Sequence, residues 1–300
     1  MRNFIVFESG SRAGLSAELF FIEYVRRTGS ADQLYLSDLD EAFSSTRPIH
    51  GSVHHVHDSV LADIINRGDA YFFPADELTR QCNASMQEFA STCPVSRVEP
   101  WYYSKNAVNR WLESRVGADC PIKIPATFSP TDICVRPNER SAGTRGVQFL
   151  PKACVTQRID IAEEMVVDVL RTDGEMHIYP RVVTLKHGYD RFIKLLPTDG
   201  EIAQAVREFV LRVQPTNDGL LSDIFHVQIA RDTNGDLYFI EASKRISGTA
   251  FVNILRGMTP FDIYDKQLPK QVVGCEVEGK FVRFEDLLML VGQQLQISIV

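Results

Sequence analysis

No apolar run in the 300-residue chain approaches the roughly 18 residues needed to cross a bilayer, so we expect no membrane-spanning segment. The apolar part of Met1–Phe7 is too short for a signal peptide and lacks a small-residue cleavage site, which favours a first strand. A basic excess is also lacking, because 32 Lys and Arg face 39 Asp and Glu and leave a formal net charge of −7. Nucleic-acid surfaces are normally basic, so no nucleic-acid partner is expected.

Paired cysteines are a further absence. The six cysteines are scattered without a Cys-x-x-Cys motif, which argues against a disulfide framework. Cys134 and Cys154 lie among apolar residues, as reduced core cysteines do, and a cytoplasmic location is the resulting expectation. Histidines crowd only between His50 and His57, where they could bind a transition metal, although no cysteine or carboxylate completes a known ligand spacing.

The composition that is present, 44% hydrophobic and 24% charged residues, is ordinary for a globular chain. The first hundred residues alternate strands and helices. Strands are predicted at Phe4–Phe7, Gln33–Leu36 and Ala70–Phe73, and helices at about Leu15–Thr28 and Val60–Asn66. Such alternation predicts a parallel sheet with helices on its faces.

From Asp132 the chain is β-rich and predicts an antiparallel unit with a helix packed on it. An amphipathic helix is predicted at Ser104–Gly117 and another at Glu201–Val213. Between residues 224 and 240 two β-rich runs flank Asn234-Gly235, a pair typical of a tight hairpin turn.

The ends of this predicted hairpin carry polar side chains. Gln228 lies near the end of the first strand, and Glu241, Ser243 and Arg245 follow the second. Residues of one parity share a strand face, so the last three can point the same way if the strand continues that far. Oxygen ligands beside a cation suit a Mg²⁺–phosphate site. A half-buried hairpin with a solvated polar end is the structural alternative.

A turn rich in small residues lies at positions 136–147, where Arg136-Pro137 is followed by Ser141, Gly143 and Gly146. Small residues let backbone N–H groups approach an anion. The segment resembles the mobile phosphate-covering loop of the ATP-grasp superfamily, in which a strand ends in Lys-Pro or Arg-Pro.

Further segments resemble the same superfamily in the same order. Lys105 is similar to the basic residue that reaches a phosphate, and Gln157–Asp160 is similar to the hinge between the grasping lobes. Glu164 is similar to the acid that binds the ribose. His226–Gln228 and Glu241–Arg245 are similar to the metal-binding strands. The resemblance spans roughly residues 100 to 260 and is closest to the carbamoyl-phosphate-synthetase-like branch.

The resemblance implies an α/β (α+β) ATP-grasp fold. It implies a Rossmann-like α/β domain at residues 1–98, a central lobe with the phosphate loop at 99–160, and a C-terminal lobe with the metal and substrate site at 161–300. The two lobes would hold ATP between antiparallel sheets.

The resemblance also implies ATP and Mg²⁺, or Mn²⁺ in its place, as cofactors. The nucleotide-binding residues would be Lys105, Arg136, Ser141, Gly143, Gly146, Gln157, Ile159 and Glu164, with Gln157 and Ile159 reading adenine through their backbone. The metal ligands would be Gln228, Glu241 and Ser243, and the catalytic residues Arg145 and Arg245.

Three positions depart from the superfamily pattern. Ser243 and Lys244 stand where Asn and Pro are usual, and Gln157 stands where Glu is usual. Ser243 still offers a neutral oxygen on a shorter side chain. Because Glu241 is then the one formal negative charge among the ligands, a second Mg²⁺ is not expected to bind tightly.

The activity implied is that of an ATP-dependent carboxylate–amine ligase, which forms an amide or peptide-like bond through an acyl phosphate and releases ADP and phosphate. Its partners would be a small-molecule carboxylate and an amine, amino-acid-like in kind, and a homodimer stays open. Arg181, Lys186 and Arg191 could bind a substrate carboxylate, Arg by a bidentate fork, or form only a basic strand edge.

Two other functions stay open. An ATP-grasp relic that binds nucleotide and regulates a partner is suggested by Ser243 and Lys244. A Rossmann oxidoreductase is suggested by Gly10 and Gly14, although the third glycine and a suitably spaced acid are missing.

Overall fold

The computed structural model describes residues 1–7, 12–38, 41–75, 88–89, 105–126, 157–172, 175–186, 189–213, 222–265, 272 and 274–298. Its strands are β1 (Asn3–Val6), β2 (Gln33–Asp38), β3 (Val53–His57), β4 (Ala70–Phe72), β5 (Ile122–Lys123), β6 (Ile161–Thr172), β7 (Glu175–Lys186), β8 (Tyr189–Leu195), β9 (Ser222–Asp232), β10 (Leu237–Ser243) and β11 (Phe281–Arg283). Its helices are α1 (Arg12–Thr28), α2 (Glu41–Ser44), α3 (Leu61–Ile65), α4 (Lys105–Glu113), α5 (Glu201–Val213) and α6 (Phe284–Leu295). Within these described ranges, the 3₁₀ segments are Asp58–Val60, Ala250–Arg256 and Pro260–Asp265.

The first sheet has four parallel strands in the order β3-β2-β1-β4. β1 is buried along its whole length, and α1 covers the sheet with an apolar face that includes Leu19, Phe20 and Phe21. The predicted parallel sheet is confirmed. Its outer strand β3 holds His54, His55 and His57 of the histidine cluster. The sequence did not predict this strand, because polar residues outnumber apolar ones in it.

The second sheet has seven strands in the order β11-β8-β7-β6-β9-β10-β5. Its neighbouring strands run antiparallel except β10 and β5, which are parallel. The predicted hairpin is confirmed as β9 and β10. Its turn contains Gly235 at a φ of 92°, and the Asp232 carboxylate accepts the N–H groups of Asn234 and Asp236, both at 2.9 Å.

The apolar side chains of the second sheet pack on α5 from one face. Val167, Val227, Ile229 and Phe239 are buried there together with the α5 residue Phe209, whose ring stacks on Phe239 at 5.7 Å. The α5 bounds match the predicted helix, because its apolar residues follow the helical period throughout.

A second core joins the opposite face of this sheet to the parallel sheet. The last two 3₁₀ segments and α6 pack between them, and Phe261 stacks on Phe73 at 4.1 Å and meets Phe4 edge-on at 5.0 Å. In the described part of the chain, no helix is long and apolar enough to span a membrane. The predicted domain boundary after residue 98 lies outside the described residues, and the three-domain division stays a prediction.

Candidate functional site

Strand register collects polar side chains on the face of the second sheet that lies opposite α5. Gln228 on β9 faces Glu241 on β10, and two residues further along the same two strands His226 faces Ser243. On the other side of β9, His226 faces Asp168 on β6. Directly opposed residues project to the same side of a sheet, so these five side chains share one face. The three expected metal ligands, Gln228, Glu241 and Ser243, therefore lie side by side.

A β-bulge brings Glu241 to this face. Phe239 pairs with Ile229, whereas Glu241 pairs with Gln228, so Ile240 is an extra residue in β10. In a regular strand without the bulge, Glu241 would lie on the apolar face with Phe239, because a shift of one residue in the pairing exchanges the two faces of a strand.

Glu164, the expected ribose ligand, lies on the same face. Val166 of β6 lies directly opposite Gln228, and Glu164 lies two residues before Val166, so both project to the face of Gln228. Glu164 is one strand away from Gln228 and two strands away from Glu241. Its side chain is half-buried. The carboxylate of Glu164 on β6, the amide of Gln228 on β9, and the carboxylate of Glu241 and the hydroxyl of Ser243 on β10 thus lie on one face of three adjacent strands.

The expected adenine-binding segment precedes β6. Gln157 is exposed and its backbone N–H donates to the carbonyl of Ala126 at 2.8 Å, while Ile159 is half-buried. The two residues lie in extended chain that leads into the strand carrying Glu164. The Gln157 N–H is thus engaged within the protein, and the adenine contact stays a prediction.

Arg245 follows β10 and is held through its backbone. The Nδ1–H of His226 donates to the Arg245 carbonyl at 3.1 Å, and an Arg245 Nη1–H donates to the carbonyl of Ile246 at 3.0 Å. Burial, and next the charge of Arg245, lowers the pKa of His226 to about 4, so this imidazole is neutral at pH 7. Because a carbonyl can only accept, the His226 proton resides on Nδ1.

Lys244, at a position where the superfamily usually has proline, lies on the other side of the strand. Its Nζ lies 5.4 Å from the centre of the Phe225 ring, a cation–π contact at the apolar face. Ser243, in contrast, is only 4% exposed and lies on the polar face. Ser243 and Lys244 therefore lie on opposite faces of the sheet.

A buried polar network lies next to these residues, and sequence reasoning missed it. Arg181 on β7 has no exposed surface; its Nη1 donates to Asp168 at 2.5 Å, its Nε to Thr249 at 3.0 Å, and its Nη2 to Thr249 at 2.8 Å and to Ser247. Asn253 donates to the same Asp168 oxygen at 2.9 Å. The signal was a lone acid, Asp168, in an otherwise apolar stretch of β6.

Arg181 therefore has partners other than the substrate carboxylate that the sequence suggested for it. Burial opposes ionisation of Asp168 most strongly, yet the charge of Arg181 and hydrogen bonds from Arg181 and Ser247 hold the pKa of Asp168 below its ordinary value. Asp168 and Arg181 thus form a charged pair inside the protein. A role of Arg181 in binding substrate has not been tested and stays a prediction.

Other expected site residues lie outside the described part of the chain. Those residues are Arg136, Ser141, Gly143, Arg145 and Gly146 of the phosphate loop. The backbones of Lys105, Lys186 and Arg191 are described at the start of α4, in β7 and in β8, but their side chains are not. Their roles stay predictions.

The oxygen ligands of the polar face fit Mg²⁺. Glu241 supplies a carboxylate, Gln228 an amide oxygen and Ser243 a hydroxyl, and Mg²⁺ in nucleotide sites usually takes one or two carboxylates and completes its shell with phosphates and waters. Among the described residues, no three His, Cys, Asp or Glu side chains form a group that could hold a metal ion. In the histidine cluster, His54 stacks on Tyr35 and His55 on Phe43, each at 4.8 Å.

Comparison with known proteins identifies the fold. No protein-family model matches the chain, and no curated protein matches its sequence. Its structure is similar to N5-carboxyaminoimidazole synthetase from Staphylococcus aureus, with 12% identity and a TM-score of 0.61 over 94% of this chain and 80% of that one. It is similar to the L-amino acid ligase from Bacillus licheniformis, with 15% identity and a TM-score of 0.56 over 94% and 78%.

A third similar structure carries the superfamily name. It is a protein from Archaeoglobus fulgidus assigned to the ATP-grasp superfamily, with 11% identity and a TM-score of 0.58 over 91% of this chain and 90% of that one. The chain therefore has the ATP-grasp fold, and the fold prediction is confirmed.

Proposed function

We propose that this chain is an ATP-dependent ligase that joins a small-molecule carboxylate to an amine and releases ADP and phosphate. The observation that carries the proposal is the row of oxygen ligands on one face of the second sheet, where Gln228 faces Glu241 and Ser243 lies two residues further along β10. The fold supports it, since the Bacillus licheniformis neighbour is an L-amino acid ligase and the Staphylococcus aureus neighbour has been solved in complex with ADP.

The nucleotide would bind across the polar face. Glu164 would accept the ribose hydroxyls, and the backbone of Gln157 and Ile159 would read adenine. Lys105 and Arg136 would hold the α- and β-phosphates, because basic side chains neutralise phosphate oxygens. The backbone of Ser141, Gly143 and Gly146, with Arg145, would cover the γ-phosphate.

Mg²⁺ would be held by Glu241, Gln228 and Ser243. When bound, it would neutralise phosphate oxygens during phosphoryl transfer, which depends mainly on positioning and on charge neutralisation. Glu241 is the charged member of this set, and the other two residues donate neutral oxygens.

The chemistry has two steps. A carboxylate oxygen of the substrate forms a bond to the γ-phosphorus, and the bond from that phosphorus to the bridging oxygen breaks, which gives an acyl phosphate and ADP. The amine nitrogen then attacks the carbonyl carbon, phosphate leaves with the C–O electron pair, and the nitrogen loses a proton to solvent. Arg245 would stabilise the oxygen charge that develops in both steps, since a fixed cation costs no reorganisation during the reaction.

The test is a substrate screen. The purified protein with Mg-ATP is given pairs of amino acids, ADP release is measured in a coupled assay, and products are identified by mass spectrometry. We expect ADP release that requires both a carboxylate and an amine, and that the Glu241→Gln variant largely loses. Nucleotide binding without ADP release for any pair would contradict the ligase proposal and would favour the nucleotide-binding relic.

A further inference from the structure

Two consecutive peptide groups after β10 are each held at both ends. In the group between Arg245 and Ile246, the carbonyl accepts the Nδ1–H of His226 at 3.1 Å, and the N–H donates to the carbonyl of Pro74 at 3.0 Å. In the next group, the Ile246 carbonyl accepts the Arg245 Nη1–H at 3.0 Å, and the Ser247 N–H donates to the Asp168 carboxylate at 3.1 Å. The Arg245 side chain is thus one peptide group away from Asp168.

The charged pair of Asp168 and Arg181 holds the rest of this segment. Arg181 donates four of its five N–H groups, one to Asp168, one to Ser247 and two to Thr249. Ser247, Thr249 and Asp168 are each less than 5% exposed. A planar guanidinium that donates to several buried acceptors is held rigidly, because no water is present to take over these hydrogen bonds if the side chain moves.

The other side of the segment is fixed by the helix of the parallel sheet. Ser16 on α1 donates its hydroxyl to the carbonyl of Gly248 at 3.2 Å and accepts the N–H of Phe251 at 3.3 Å. A Cβ at Gly248 would lie 3.3 Å from the Cβ of Arg12, so a side chain at this position would press on α1. The segment from 245 to 251 therefore makes hydrogen bonds both to the second sheet and to α1, which packs on the parallel sheet.

We propose that Asp168 and Arg181 are positioning residues that fix the segment 246–249 and, through the peptide group between Ile246 and Ser247, set the orientation of the Arg245 guanidinium. The part that concerns Arg245 in catalysis rests on the proposed ligase function. The part that concerns the order of the segment does not. In this proposal Arg181 acts through Arg245, which is an alternative to the substrate contact predicted for it from the sequence.

Substitution of Thr249 tests the proposal with a matched pair of variants. Thr249→Val keeps the side-chain shape and removes the hydroxyl that accepts two Arg181 N–H groups, whereas Thr249→Ser keeps the hydroxyl. Amide hydrogen exchange is measured on the protein without nucleotide. We expect Thr249→Val to speed exchange at residues 246–251 by about tenfold or more, since two N–H groups of a buried cation lose their acceptor, and Thr249→Ser to stay near the wild type.

Exchange in α5 is the control for a general loss of stability, because this helix lies on the opposite face of the sheet. Equal acceleration in α5 and in residues 246–251, or no acceleration in either, would overturn the positioning role. In the activity assay, we expect Thr249→Val to lower kcat by about tenfold while KM for ATP stays unchanged, as for an interaction made only in the transition state. A raised KM with unchanged kcat would contradict the link to Arg245.

The two proposals fail in different ways. If the wild type shows no ligase activity but the exchange result holds, the segment is fixed as proposed and the ligase function is wrong. If ligase activity is present and Thr249→Val changes neither exchange nor kcat, the ligase function survives and the positioning role is wrong. The double substitution Asp168→Leu with Arg181→Met removes the buried charges together and should fold, yet it should show the same fast exchange at 246–251.

Discussion

Gln228 and Ile229 are neighbours in β9, and they belong to two different faces of the same sheet. Ile229 packs with Val227 and Phe239 against α5 and has no exposed surface, whereas Gln228 lies half-buried opposite Glu241. The apolar face resembles any sheet covered by a helix, while the polar face concentrates oxygens, a neutral imidazole and a buried ion pair. The comparison teaches that strand alternation gives the hairpin of β9 and β10 one face that packs on a helix and another that carries the polar side chains.

The largest effect that separates the two faces is expected at Ile229. Ile229→Ala leaves a cavity under α5 and should lower the free energy of unfolding by about 2–5 kcal/mol. Because the polar face is untouched, the activity per folded molecule should stay near that of the wild type. Chemical denaturation and an activity assay on the folded fraction measure both quantities, and a stable but inactive variant would show that the two faces are not separate.

A pH titration tests the buried imidazole of the polar face. His226 has a folded-state pKa of about 4 against 6.5 for the ordinary side chain, so between these values the unfolded state binds the proton and the folded state does not. The free energy of unfolding should therefore fall as the pH drops from 6.5 to 4, by roughly 3 kcal/mol from this group.

The control for this titration is His226→Asn, which can still donate to the Arg245 carbonyl and does not titrate. Its stability curve should be flatter across the same pH range. His54, whose pKa burial also lowers, contributes to the remaining slope in both proteins. Parallel curves for the wild type and the variant would mean that His226 is not buried in its neutral form.

Activity should respond most to the charged residues of the polar face. Glu241→Gln and Arg245→Ala should each lower turnover by roughly 10²-fold, since both residues act on charge that develops during the reaction. The melting temperature should change little. Gln157→Ala is the mild comparison, because the contact proposed for Gln157 uses its backbone. Near-normal turnover in either charged variant would move the reaction away from this face.

Much of this arrangement could be predicted from the sequence, and the exceptions have physical causes. The hairpin of β9 and β10 follows from Asn234-Gly235, and α5 from its helical period. The extra residue Ile240 could not be predicted, because a bulge is set by the fit of the two strands and not by the type of one residue. The sequence therefore predicted that the oxygens of Gln228, Glu241 and Ser243 share a face, but not the bulge that brings Glu241 to it.

The strand β7 was missed for a different reason. Pro180 lies within it, and proline in a run normally argues against a paired strand. β8 pairs with β7 only from Arg181 onward, so at Pro180 β7 pairs with β6 alone. The proline is therefore tolerated there, as it is on an edge strand. The burial of Arg181 could not be predicted either, because Ser247 and Thr249 lie 66 and 68 positions away along the chain and Asp168 lies on a strand whose pairing with β7 was not predicted.

The smallest expected effect concerns Ser243. If its hydroxyl binds the metal, Ser243→Ala should raise the Mg²⁺ concentration needed for half-maximal rate, because water replaces one neutral oxygen. Ser243→Asn should keep or improve the activity, since the longer amide reaches the position that the superfamily usually fills. Mg²⁺ titrations of the wild type and both variants measure this, and equal dependence in all three would show that Ser243 is not a ligand.

The most direct test of the account is the melting temperature of the wild type with Mg-ATP, Mg-ADP or NAD at millimolar concentration. A ligand that binds only the folded state stabilises it by about 2.7 kcal/mol at a hundred times its Kd. We predict that both adenine nucleotides with Mg²⁺ raise the melting temperature, that NAD does not, and that Glu164→Ala reduces the shift. An unchanged melting temperature at millimolar Mg-ATP would contradict the nucleotide site on the polar face.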